Sequence, residues 1–128
     1  MDSKTKTGII VITTILVIIG AIIGFMVWQE NQPGKLDGFA QCLTNKGTTF
    51  YGAFWCPHCQ NQKALFGNSK KYLPYTECST QDSNGQLQIC KDAKITTYPT
   101  WVFADKSVQE GEMSLQALAD KSGCTLPQ

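Results

Sequence analysis

The chain has 128 residues and a net charge of +1, from eleven lysines, ten acidic residues and no arginine. That length holds one ordinary domain at most. The basic residues are not clustered, so nucleic-acid binding is not expected, and nothing implies an acidic partner.

Residues 1–7 are polar and carry Lys4 and Lys6. Residues 8–28, GIIVITTILVIIGAIIGFMVW, contain no charge, and Thr13 and Thr14 are their only polar side chains. A helix needs about 20 apolar residues to cross a hydrocarbon core of about 30 Å. Trp28 stands where an interfacial aromatic anchor belongs. A cleaved signal peptide is the competing reading, but its apolar core would be only about 7–15 residues, ending in a small-residue cleavage site. Phe25-Met26-Val27-Trp28 offers no such site, so an uncleaved signal anchor is expected. Lys4 and Lys6 precede the span, and Lys35 is the only cation for some distance after it. This bias places the N-terminus in the cytoplasm and the remaining chain outside the cell membrane, on a single pass.

Residues 29–37 are polar, with Pro33 and Gly34, and read as a linker. The domain is then 38–128. Gly38 to Lys46 has helical spacing, with Gly47 as its stop. Thr48 to Trp55 is β-branched and aromatic and predicts a buried strand. A helix from Cys56 to Phe66 follows, with Pro57 in its first turn, where a missing N–H costs nothing. Tyr72 to Cys78 is a second strand, 79–85 a loop, Gln86 to Ala93 a short helix, and Thr100 to Ala104 a third strand. Ser107 to Gly111 completes a hairpin. Ser114 caps a last helix that Gly123 stops. The alternation predicts an α/β domain, a central sheet with helices on both faces.

Six cysteines, an even number in a short chain, suit an oxidising compartment. Cys56-Pro57-His58-Cys59 carries the chemistry. A thiol at a helix N-terminus meets unpaired N–H groups and the positive end of the helix dipole, and both favour the reactive thiolate. Two intervening residues let both sulfurs reach bonding distance within one turn. Pro57 limits the backbone, and protonated His58 adds positive charge beside the thiolate. A stabilised thiolate stabilises the reduced form and makes the disulfide a stronger oxidant. Two pKa units would move the potential by roughly 60 mV. Zinc uses the same CxxC spacing but needs four ligands, and the remaining cysteines form no second CxxC. A tethered zinc-binding or client-binding module is therefore the lesser alternative. Pro99, just before the third strand, is compatible with either peptide isomer on sequence grounds.

Trp55-Cys56-Pro57-His58-Cys59 after a strand, with Tyr98-Pro99-Thr100 some forty residues on, resembles the thioredoxin superfamily. The CPHC tetrad is similar to that of DsbA-type oxidants. A closer resemblance is to the thioredoxin-like domain associated with bacterial vitamin K epoxide reductase homologues. It rests on Phe39-Ala40, Leu43, Lys46-Gly47, residues 51–59, Leu65-Phe66-Gly67, Glu77-Cys78, Cys90, Tyr98-Pro99-Thr100-Trp101 and Ser114-Leu115. The resemblance implies a thioredoxin-like fold, a mixed sheet flanked by helices. It implies that Cys56 attacks, Cys59 resolves, Pro99 is cis and faces them, and Cys78 and Cys90 form a structural disulfide. It further implies a protein disulfide oxidoreductase that oxidises exported client proteins and is reoxidised by a separate quinone-linked, vitamin K epoxide reductase-like membrane partner. The Cys56–Cys59 pair is then the redox centre, with no bound cofactor or metal. A disulfide reductase or isomerase of the same compartment is the alternative direction. Two features depart from the pattern. Only one span is present, and Phe50 stands where thioredoxins carry a buried acid. Cys42 and Cys124 remain. Either they pair, closing a loop worth about 4–5 kcal/mol, or they are free thiols.

Overall fold

The computed structural model describes residues 2–128, and the chain divides after Gln32 into two compact units. The first unit is one helix, α1 (Ser3–Glu30), of 28 residues. Its most apolar window has a mean hydropathy of 2.9, long and apolar enough to cross a membrane. The helix is longer than the apolar run because backbone hydrogen bonding continues into the polar flanks. The two polar side chains inside the run need no water. Thr13 donates to the Ile10 carbonyl at 2.9 Å and Thr14 to that of Val11 at 2.8 Å, which suits a lipid environment.

The second unit holds α2 (Asp37–Asn45), β1 (Thr49–Gly52), α3 (Pro57–Ala64), a 3₁₀ turn (Gly67–Tyr72), β2 (Tyr75–Glu77), α4 (Gln88–Asp92), β3 (Thr100–Val102), β4 (Val108–Glu110) and α5 (Leu115–Ser122). The sheet order is β2-β1-β3-β4. β1 and β2 are parallel, and the other two pairs are antiparallel. This mixed α/β sheet with helices is a thioredoxin-like fold.

Side chains alternate across a strand, so each face of the sheet has its own core. Phe50 pairs with Trp101 across β1 and β3, and their rings stack at 4.6 Å between centroids. Around them pack Phe39 and Leu43 of α2, Cys59 of α3, Phe66, and Leu118 of α5. On the opposite face Tyr51 and Val102 cover Cys78, Cys90 and Ile95. Both faces are thus closed, as the alternating elements imply.

The strands are shorter than the sequence suggests. β1 ends at Gly52 rather than Trp55 because Ala53 to Trp55 already turn toward α3, and the Cys56 N–H donates to the Ala53 carbonyl at 3.0 Å. β2 starts at Tyr75 because the 3₁₀ turn, unsignalled by any apolar periodicity, occupies Gly67–Tyr72. The last helix begins and ends where its caps say. Ser114 Oγ accepts from the Ala117 N–H at 3.1 Å, and Gly123 adopts φ 72°, a left-handed conformation open to a residue without Cβ.

Candidate active site

Cys56 is the N-cap of α3, in an extended conformation, with Pro57 as the first helical residue. Its sulfur accepts from the Cys59 N–H at 3.4 Å, one of the donors that a helix N-terminus leaves unpaired. Cys56 and Cys59 are both unbonded thiols here. Both are buried, Cys56 retaining 5% exposure and Cys59 none.

The loop before β3 closes over Cys56. The Tyr98–Pro99 peptide is cis, Pro99 is buried, and the Cys56 thiol points at the Tyr98 carbonyl, 3.7 Å away. That loop is tied down on both sides. Gln86 donates to the Tyr98 hydroxyl at 2.8 Å, and the Gly111 N–H donates to the Pro99 carbonyl at 2.8 Å. Trp55 lies edge-on to Tyr98, with centroids 6.2 Å apart, and its indole N–H donates to Ser79 at 2.8 Å. Half of Trp55 stays exposed beside the motif.

His58 faces solvent, and its Nδ1 lies 2.6 Å from Glu112 Oε1. Asn61, one turn further along α3, also donates to that oxygen, at 3.3 Å. These two bonds hold the Glu112 carboxyl below its ordinary pKa, His58 contributing most. Beneath them Gln62 is fully buried. Its Oε1 accepts from the Met113 N–H at 2.7 Å and its Nε2 donates to the Met113 carbonyl at 3.0 Å. The motif helix is thus bound to the segment after β4 by one buried amide and one exposed pair.

Burial pushes the Cys59 thiol up to about 12, and the hydrogen bond with Cys56 adds to this. A hydrogen bond from the Ala53 backbone and the Lys63 charge act the other way. Gly52 makes room for this sulfur. A Cβ there would come within 2.9 Å of both Cys59 Sγ and the Tyr75 ring. Phe50, at the position where thioredoxins carry an acid, is fully buried against Trp101 and holds no charge for Cys59.

The other four cysteines are joined in two disulfides. Cys78–Cys90 links the end of β2 to α4, with Cα atoms 5.6 Å apart. Cys42–Cys124 ties α2 to the residue after the stop of α5, with Cα atoms 5.9 Å apart. Among the described residues, no three His, Cys, Asp or Glu side chains gather as metal ligands.

Sequence reasoning misses Gln62, Lys63, Tyr75, Glu77 and Glu112. Lys63 carries the one usable signal, since it follows Cys59 by four residues and so shares its helix face. Glu112 carries none, being 54 residues from His58.

No family model matches the chain. It is 42% identical over 93 residues to the thiol-disulfide oxidoreductase LTO1 of Arabidopsis thaliana, an alignment covering 70% of this chain and 24% of that relative. The chain thus spans about a quarter of the length of the curated relative it matches. Similarity to a thiol–disulfide oxidoreductase, together with two free thiols in contact at a helix N-terminus, supports a redox role for this protein.

Proposed function

We propose that the protein is a membrane-anchored thiol–disulfide oxidoreductase that oxidises cysteines of exported proteins. The observation that carries this reading is Cys56 capping α3 with its sulfur on the Cys59 N–H, beside a buried Cys59. A client thiolate attacks Cys56 Sγ of the Cys56–Cys59 disulfide, and the electron pair of the broken bond goes to Cys59. A second client thiolate then attacks its own sulfur in the mixed disulfide and expels the Cys56 thiolate. The client gains a disulfide and the motif becomes a dithiol. The N–H groups at the start of α3, one of them bonded to Cys56 Sγ, favour Cys56 as leaving group, which supports the reaction in this direction.

Helix α1 would anchor the domain, with Lys4 and Lys6 kept in the cytoplasm. The two disulfides suit an oxidising compartment. The pair is reoxidised by a quinone-linked membrane protein related to the vitamin K epoxide reductase homologues, in keeping with the sequence resemblance.

The test uses the oxidised full chain in detergent and a reduced, unfolded cysteine-containing client. Client disulfides should form with the native chain and not with Cys56→Ser, while Cys59→Ala, given instead the client in its disulfide form, should accumulate a mixed disulfide as its Cys56 thiolate attacks a client disulfide and releases the other client sulfur. Full activity in Cys56→Ser would overturn the assignment.

A further inference from the structure

Cys59 is buried, resistant to ionisation, and has no acid at position 50 to help it. Yet opening the Cys56–Cys59 disulfide releases a thiolate on this sulfur, and closing it uses one. The side chains behind it form an ordered set. Lys63 lies one helical turn beyond Cys59 on the same face of α3. Its Nζ sits 3.3 Å from the centroid of the Tyr75 ring. The Tyr75 ring and Cys59 Sγ both border the space left by the missing side chain of Gly52. The Tyr75 hydroxyl donates to Glu77 Oε2 at 2.7 Å. Glu77 Oε1 in turn accepts from the N–H groups of Phe54, Cys78 and Ser79, at 3.2, 3.1 and 2.9 Å. A carboxylate so held cannot swing away, and it fixes the tyrosine ring that carries the ammonium.

We propose that Lys63, seated on the Tyr75 ring, is the charge partner of the Cys59 thiolate and takes the place of a buried acid in this site. This deepens the exchange chemistry proposed above and rests on it. The charged or titratable groups that act on Cys59 are Cys56 at the N-cap of α3, Lys63 on α3 and Tyr75 on β2, while Glu77 and Lys70 act on Lys63 in turn; the two lysines and Tyr75 line a cleft of about 470 Å³. Burial lowers the Lys63 pKa while Glu77 and Cys59 raise it again, as expected for an ammonium drawn from water toward negative charge. The cleft leaves the Lys63 side chain partly open to solvent.

The experiment follows two steps in the reduced full chain mixed with glutathione disulfide. Cys56 thiolate attacks one glutathione sulfur and releases the first glutathione. Cys59 thiolate then attacks Cys56 Sγ, the mixed disulfide breaks, and the second glutathione leaves. Two electrons pass from the dithiol to glutathione disulfide. Lys63→Met should leave the first step unchanged and slow the second about tenfold at neutral pH, with its pH profile displaced upward by about one unit. Lys63→Arg keeps the charge and should restore both rate and profile. An unmoved profile in Lys63→Met, equal slowing of both steps, or no recovery in Lys63→Arg would overturn the proposal. If the native chain fails the first step, the exchange function itself fails. Titration of the lone Cys59 thiolate by ultraviolet absorbance in Cys56→Ala, with and without Lys63→Met, still decides the role of Lys63. An upward shift supports it and no shift overturns it.

Discussion

His58 Nδ1 lies 2.6 Å from Glu112 Oε1, joining the centre of the CPHC motif to a carboxylate 54 residues away. Their side chains are 70% and 36% exposed, so solvent screens the pair and its weight in folding is small. Glu112→Gln should hardly move the urea midpoint. The pair should be visible in titration instead. His58 is the main cause that holds Glu112 below the ordinary carboxylate value of 4.5. A carboxyl-carbon NMR titration of Glu112 should give a midpoint below 4.5, and His58→Ala should raise it.

Gln62 does the opposite kind of work, being fully buried. Gln62→Leu strands the N–H and carbonyl of Met113, together with the Trp101 indole N–H that reaches Gln62 Oε1 at 3.4 Å. Unsatisfied buried groups of this kind cost about 1–3 kcal/mol each. A loss of about 2–4 kcal/mol in urea denaturation is expected, partial solvation of Met113 keeping it below the full sum.

Cys59 makes the stability of the reduced protein depend on pH. Its thiol titrates at 9.0 when unperturbed and at about 12 in the fold. The folded value is the higher one, so the contribution is complete below pH 9 and disappears as the pH rises toward 12. The disulfide form has no such thiol. Urea midpoints of the two forms should therefore show the reduced protein losing ground to the oxidised one across that window, and parallel curves would refute it.

The two structural disulfides should differ in weight. Cys42–Cys124 closes a separation of 82 residues and Cys78–Cys90 one of 12. Chain entropy assigns them about 4.5 and 3 kcal/mol. Replacing Cys42 and Cys124 by alanine should lower the melting temperature more than replacing Cys78 and Cys90.

Some of this was legible in the sequence because the signals are local. The apolar run of α1 depends on composition alone, and the ends of α5 on Ser114 and Gly123. The α/β order followed from alternating patterns. The 3₁₀ turn was not legible, since GNSKKY has no apolar period. Strand ends are not legible either, because Ala53-Phe54-Trp55 look extended by composition yet already belong to the turn into α3. The site divides in the same way. The CPHC motif is contiguous, whereas the groups that surround it, Gln62 against Met113 and Lys63 against Tyr75, meet only once the sheet has formed.

The reduction potential of the Cys56–Cys59 pair in the full chain, equilibrated against glutathione, tests the central claim most directly. An oxidant built on a helix-capping Cys56 beside His58 should lie well above thioredoxin's value of about −270 mV, toward the value of about −120 mV of DsbA. A potential at or below about −270 mV would contradict the oxidising role and leave a reductase in its place.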